Sequence, residues 1–115
     1  CIHFSVHSFV ERLHGVERTS DIGLLFDPAR PRERELVTAM QCHLRASGLS
    51  VRKNFPYFGH TDGVTTATRA VLSPRRYLGI EIELNQRSAR TPAGQRRFAA
   101  ALLAAIGAAL GEQDC

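Results

Sequence analysis

Two residues with useful side-chain chemistry, His7 and Glu83, stand near the ends of two segments with the period-two pattern of β-strands. A histidine there can ligate a metal ion, and a carboxylate can act as general base on a metal-bound water. Taken singly, each is more typical of a structural or surface residue. Because the carboxyl ends of parallel strands lie at one edge of a sheet, the pair predicts a shared site. Glu81 competes with Glu83 for the role, because both would lie on one strand face.

A hydrolytic site also needs a cation beside the negative charge that develops in the reaction. Arg18, Arg52 and Arg69 are candidates, although an arginine without further support is usually a surface residue. The chain has a formal net charge of +4. Its arginines are scattered and few aromatic residues interleave with them, so a nucleic-acid face is disfavoured. A small anionic substrate and a solvated arginine-rich surface both fit this composition.

The elements that must position these residues alternate between strand and helix. Strands are predicted at residues 2–7, 22–26, 49–52 and 77–84, and helices at 31–47, 64–72 and 92–110, with loops at 8–21 and 53–63. Pro31 and the Thr91-Pro92 pair suit helix starts, and one apolar stripe of the last helix should include Phe98, Leu102, Ile106 and Leu110. This order predicts an α/β fold with an open, mixed and largely parallel sheet flanked by helices.

Five segments, in order, resemble the second half of the N-formylglutamate amidohydrolase family. They are His7-Ser8-Phe9, residues 18–27 (RTSDIGLLFD), residues 54–57 (NFPY), residues 61–63 (TDG) and residues 77–86 (YLGIEIELNQ). The family is similar in fold to the zinc carboxypeptidases, so the resemblance implies part of such a fold and one catalytic zinc. It also implies hydrolysis of the amide bond of a small anionic N-acyl amino acid, such as N-formylglutamate.

The resemblance assigns roles to individual residues. It implies that His7 is a zinc ligand and that Glu83 is the catalytic carboxylate. The residues expected to bind substrate are Arg18, Asn54, Tyr57, Asp62 and Arg69. Two further zinc ligands of the family come from its first half, and catalytic zinc needs three protein ligands. The zinc site is therefore expected to be incomplete in this chain, and a metal-free, catalytically inactive binding domain of the same fold is the alternative.

The length of 115 residues predicts one domain, residues 1–115, which the resemblance makes the C-terminal part of a larger one. No apolar run is long enough to span a membrane, so no membrane partner is expected. The three cysteines lack metal-site spacing, and a cytoplasmic location with Cys42 as a reduced thiol is expected. A bridge between Cys1 and Cys115 stays open. An uncovered first strand would favour a homodimer.

Overall fold

The computed structural model describes residues 1–60, 63–111 and 115 and has the alternating order that the sequence predicts. The strands are β1 (Ile2–Phe9), β2 (Arg12–Leu13), β3 (Val16–Glu17), β4 (Ile22–Leu25), β5 (Val51–Lys53) and β6 (Leu78–Asn85). The helices are α1 (Pro31–Ala46), α2 (Val64–Val71), α3 (Gln86–Ala89) and α4 (Pro92–Leu110). The predicted loop 8–21 contains the antiparallel pair β2 and β3, and the short helix α3 was not expected.

The main sheet has four strands in the order β1-β6-β4-β5. The pairs β1/β6 and β4/β5 are parallel, and β4 runs antiparallel to β6. The predicted open, mixed α/β sheet flanked by helices is therefore confirmed. Because β1 and β6 are parallel, their carboxyl ends meet at one edge, where the amino end of β4 also lies. The sequence expectation of one shared edge for His7 and Glu83 holds.

Helices α1 and α4 pack on one face of the sheet and form the core with Ile80 and Ile82 of β6 and with Ile22 and Leu24 of β4. Helix α4 begins as predicted, since the Thr91 hydroxyl accepts from the Gly94 amide at 3.0 Å and Pro92 fills the first turn. Its expected apolar stripe is only partly right. Phe98 and Leu102 are buried, but Leu110 is 48% exposed, because a spacing of four residues drifts around a helix of 3.6 residues per turn.

A buried ion pair links helix α1 to helix α2 and to strand β6. Glu33 on α1 is fully buried and accepts from the guanidinium of Arg69 on α2, with the closest contact at 2.8 Å. The same carboxylate accepts from the backbone amides of Asp27 and Gly79. Because every carboxylate oxygen is engaged, the charge is compensated inside the protein.

The cysteine pairing differs from the expectation. Cys42 on α1 forms a disulfide with Cys115, with the two Cα atoms 5.8 Å apart, and Cys1 is free and exposed. The prediction of a reduced Cys42 is therefore wrong, because no spacing rule in the sequence indicates which two of three cysteines come together. Within the described ranges, no helix is long and apolar enough to cross a bilayer.

Candidate active site at the carboxyl ends of strands β1 and β6

His7 and Glu83 are direct partners in the register of the parallel strands β1 and β6. Both line a pocket of about 420 Å³ on the sheet face opposite α1 and α4. Among the described residues, its lining is made of His7, Leu25, Tyr57, Phe58, Gly63, Glu81 and Glu83. The two residues singled out by strand periodicity therefore meet in one crevice, as expected from strands that run parallel.

Glu83 is buried, with only 6% of its surface exposed. Within residues 1–60, 63–111 and 115, two buried side-chain polar atoms have no hydrogen-bond partner, and they are Glu83 Oε2 and Arg18 Nη1. Burial raises the pKa of the Glu83 carboxyl, His7 and Arg18 act to lower it, and Glu81 adds to the rise. A buried carboxylate without a partner is costly, so the oxygen is suited to meet a water or a ligand.

Glu81, the competing carboxylate, lies on the same face two residues earlier and is also buried. Its Oε1 accepts from the Thr65 hydroxyl of α2 at 3.2 Å. A Cβ at position 63 would lie 3.1 Å from that oxygen, so Gly63 lets the loop pass close to the carboxylate. Since Glu81 has a fixed partner and Glu83 keeps an unpartnered oxygen, the geometry favours Glu83 as the reactive carboxylate.

Arg18 approaches the site from the segment between β3 and β4. Its Cζ lies 5.9 Å from the centre of the Phe9 ring and 5.7 Å from that of Tyr57. The buried Asn85, the last residue of β6, holds the segment, because its side-chain amide donates to the carbonyls of Arg18 and Ser20. Asn85 was not predicted from the sequence as a site residue. Its position as a polar residue at the end of an apolar strand could have indicated such a role.

The loop after β5 covers the site and carries Tyr57. The side-chain oxygen of Asn54 accepts from the amides of Phe26 and Gly59, at 3.0 and 3.1 Å, so this residue shapes the loop from within. The loop crosses directly over Gly23 of β4, where a Cβ would lie 1.6 Å from the Phe55 carbonyl oxygen. A glycine inside an apolar strand is the signal for such a close backbone approach. Tyr57 lines the pocket and is 51% exposed.

Two further sequence candidates, Arg52 and Arg69, do not line the pocket. The side chain of Arg69 is 6% exposed, and its guanidinium donates to Glu33 and to the carbonyls of Gly59 and Gly79, so its donors are used inside the protein. Arg52 lies over the Phe55 ring, with Cζ 4.4 Å from its centre. Asp62 lies outside the described residues.

A catalytic zinc ion takes three protein ligands. His7 is one suitable donor, and its Nε2 lies 2.9 Å from the Ser5 hydroxyl. The part of the chain that the structure describes contains no group of three or more His, Cys, Asp or Glu residues that could hold a metal ion. These residues alone therefore do not fit a catalytic zinc site.

Fold and site together define a mixed α/β domain with a half-buried acidic pocket at the carboxyl ends of two parallel strands. No protein-family model and no curated protein matches the chain. A solved structure is similar, the crystal structure of gene product Atu2144 from Agrobacterium tumefaciens, at 32% sequence identity and a TM-score of 0.75. The match covers 95% of this chain and 42% of that chain, so the similar protein is more than twice as long.

Proposed function

We propose that this domain acts in hydrolysis of the amide bond of a small N-acyl amino acid, as an N-formylglutamate amidohydrolase-like enzyme. The supporting observation is the placement of His7 beside Glu83 in one pocket, with Glu83 Oε2 buried and unpartnered. N-formylglutamate is the member of this substrate class that the sequence resemblance implies.

Glu83 is the proposed catalytic carboxylate. It takes a proton from the attacking water while the water oxygen bonds to the amide carbon, and it delivers that proton to the nitrogen as the carbon–nitrogen bond breaks. The products are a carboxylic acid and an amine. The raised pKa of Glu83 suits this exchange, because a group that must both accept and donate a proton works best with a pKa near the operating pH.

Arg18 is the proposed substrate cation, since its Nη1 is buried without a partner while the donors of Arg69 are engaged. A guanidinium binds a carboxylate strongly, in a geometry with two parallel hydrogen bonds. Tyr57 flanks Arg18 and forms a wall of the pocket. Asn54 supports this arrangement through the loop rather than by lining the pocket.

Zinc is the cofactor that the resemblance implies, and it would polarise the scissile carbonyl and activate water. A zinc ion held by His7 would need further protein ligands from outside the described residues. The metal is therefore proposed as a cofactor of a more complete assembly.

The test is hydrolysis of N-formylglutamate by the chain with and without added zinc, alone and after the Glu83→Gln substitution. We expect Glu83→Gln to abolish turnover and to leave the cooperative thermal transition intact. Turnover that survives in Glu83→Gln but is lost in Glu81→Gln would move the catalytic role to Glu81.

A second candidate is a metal-free, catalytically inactive binding domain of the same fold. The specific observation in its favour is that the described residues hold no three-ligand metal group. Calorimetric titration with zinc separates the two candidates. Tight stoichiometric binding that His7→Ala removes supports the enzyme, and its absence together with retained ligand binding supports the binding domain.

Two proposals concern the surroundings of the protein. The cytoplasmic location expected from the sequence stays a proposal, and the Cys42–Cys115 disulfide counts against it, because such bonds are rare in reducing compartments. A homodimer through β1 is proposed because, among the described residues, this edge strand pairs with β6 alone and exposes Ile2 and Val6. Light scattering that shows a monomer at high concentration would contradict it.

A further inference from the structure

We infer that the pocket selects N-acyl amino acids that carry a single carboxylate and an apolar or aromatic side chain. N-formylglutamate, which carries two carboxylates, would then bind more weakly than an analogue of the same size with one carboxylate. This inference rests on the proposed function of the same site and narrows its substrate class.

One wall of the pocket is apolar. Leu25, Tyr57 and Phe58 contribute to it, and the two aromatic residues are 51% and 60% exposed. Large aromatic side chains that remain this exposed on a pocket wall offer a surface for an apolar group of a ligand. The apolar side chain of a substrate would remove part of this surface from water, which is the main favourable term in binding such a group.

The other wall is acidic. Glu81 and Glu83 lie two residues apart on the same face of β6, and both are buried. The described residues that line the pocket include no arginine and no lysine. His7 is the one basic side chain among them, and it already lies beside Glu83. A second carboxylate on a ligand would therefore approach two buried carboxylates with no arginine or lysine of the described lining to compensate it, which is unfavourable in a partly desolvated site.

The cations close to the pocket can serve one carboxylate. Arg18 has an unpartnered Nη1 and adjoins the Tyr57 ring at 5.7 Å, so a carboxylate bound there would place its side chain along the aromatic wall. Arg69 is held by Glu33 and by two backbone carbonyls. Arg52 stacks on Phe55. The arrangement supplies one binding point for an anion and an apolar surface next to it.

Calorimetric binding of three matched ligands to the chain tests the inference. N-formylglutamate and N-formylglutamine differ by one charge at equal size, and N-formylphenylalanine adds an aromatic ring. We expect N-formylglutamine to bind at least about 10-fold more tightly than N-formylglutamate, and N-formylphenylalanine more tightly still. Equal or tighter binding of N-formylglutamate would overturn the inference.

Two variants and a control test whether Tyr57 and Glu81 cause the preference among the three ligands. Tyr57→Ala should reduce the advantage of N-formylphenylalanine over N-formylglutamine several-fold, and Glu81→Gln should reduce the penalty on N-formylglutamate. Leu103→Ala, on the exposed side of α4, is the control and should change neither ratio. Ratios that are the same in Tyr57→Ala and Glu81→Gln as in the unaltered chain would contradict the assignment.

The outcomes also separate this inference from the proposed function. Preferential binding and hydrolysis of N-formylglutamate would keep the function and overturn the selectivity. Preferential binding of N-formylphenylalanine without hydrolysis would support the selectivity and count against the enzyme. If none of the three ligands binds, both proposals are wrong.

Discussion

His7 on β1 and Glu83 on β6 face each other as register partners of two parallel strands, and both side chains line one pocket. The pair is flanked on the β4 side by Gly23, which is the register partner of Glu83 and leaves room for the loop that carries Tyr57. The backbone pairing thus brings an imidazole, a buried carboxylate and an aromatic wall together from three separate parts of the chain.

Replacement of Glu83 by glutamine should change how stability depends on pH. Burial raises the pKa of Glu83 above its ordinary value of 4.5, so the folded state holds this proton more tightly than the unfolded state. The contribution of this bound proton to the stability of the folded state is fully present below pH 4.5, and it is lost as the pH rises through the raised pKa of Glu83. Glu83→Gln should therefore be more stable than the unaltered chain at pH 8, by roughly 1 kcal/mol, with a smaller difference at pH 4.

Thermal unfolding of both proteins between pH 4 and pH 8 measures this effect. Glu17→Gln is the matched control, because the Glu17 side chain is 52% exposed. Parallel stability curves for Glu83→Gln and the unaltered chain would show that Glu83 has an ordinary pKa.

Loss of the Glu33–Arg69 ion pair should be severely destabilising. Arg69→Ala leaves the fully buried Glu33 without its cation, and breaking such a pair typically costs about 3–5 kcal/mol. The free energy of unfolding of a domain is typically roughly 5–15 kcal/mol in total. The variant should therefore melt at a much lower temperature or fail to fold. Glu33→Gln should also be strongly destabilising, because it leaves the buried Arg69 guanidinium without its anion and turns an amide donor toward groups that donate to Glu33.

Arg12→Ala is the control for this comparison. Arg12 and Glu17 form an exposed pair at 4.0 Å, with 63% and 52% of their side chains exposed, which should contribute about 1 kcal/mol or less. Chemical denaturation of the variants gives the free energies of unfolding. Equal losses in Arg12→Ala and Arg69→Ala would contradict the structural role of the buried pair.

The disulfide leads to a separate prediction. Cys42→Ser should destabilise the folded chain by about 2–4 kcal/mol, because the cross-link restricts the unfolded state. Cys1→Ser should have little effect, since Cys1 is free and exposed. Thiol titration of the denatured, unreduced protein should find one reactive cysteine, and three reactive cysteines would show that the bond does not form.

The sequence predicts the elements of this fold better than their directions. Strict alternation in residues 77–84 places Ile80 and Ile82 in the core and Glu81 and Glu83 on the pocket face, as observed. The antiparallel junction between β4 and β6 could not be foreseen, because the short apolar segment 22–25 carries no signal of strand direction.

The candidate site was predictable only in part, for a similar reason. Periodicity and strand ends indicate His7 and Glu83. Whether an arginine is available for a ligand depends on partners that are distant in sequence. Arg69 meets Glu33 across 36 positions, whereas Arg18 keeps an unpartnered nitrogen. Nothing local in the sequence distinguishes these two residues.

The central claim is that His7 and Glu83 belong to one ligand-binding site, and NMR titration of the chain with N-formylphenylalanine tests it most directly. Resonances of the His7 ring and the Glu83 carboxyl, assigned with His7→Ala and Glu83→Gln, should shift together with a single dissociation constant. The account is contradicted if the two resonances follow different constants, or if saturating ligand moves neither of them.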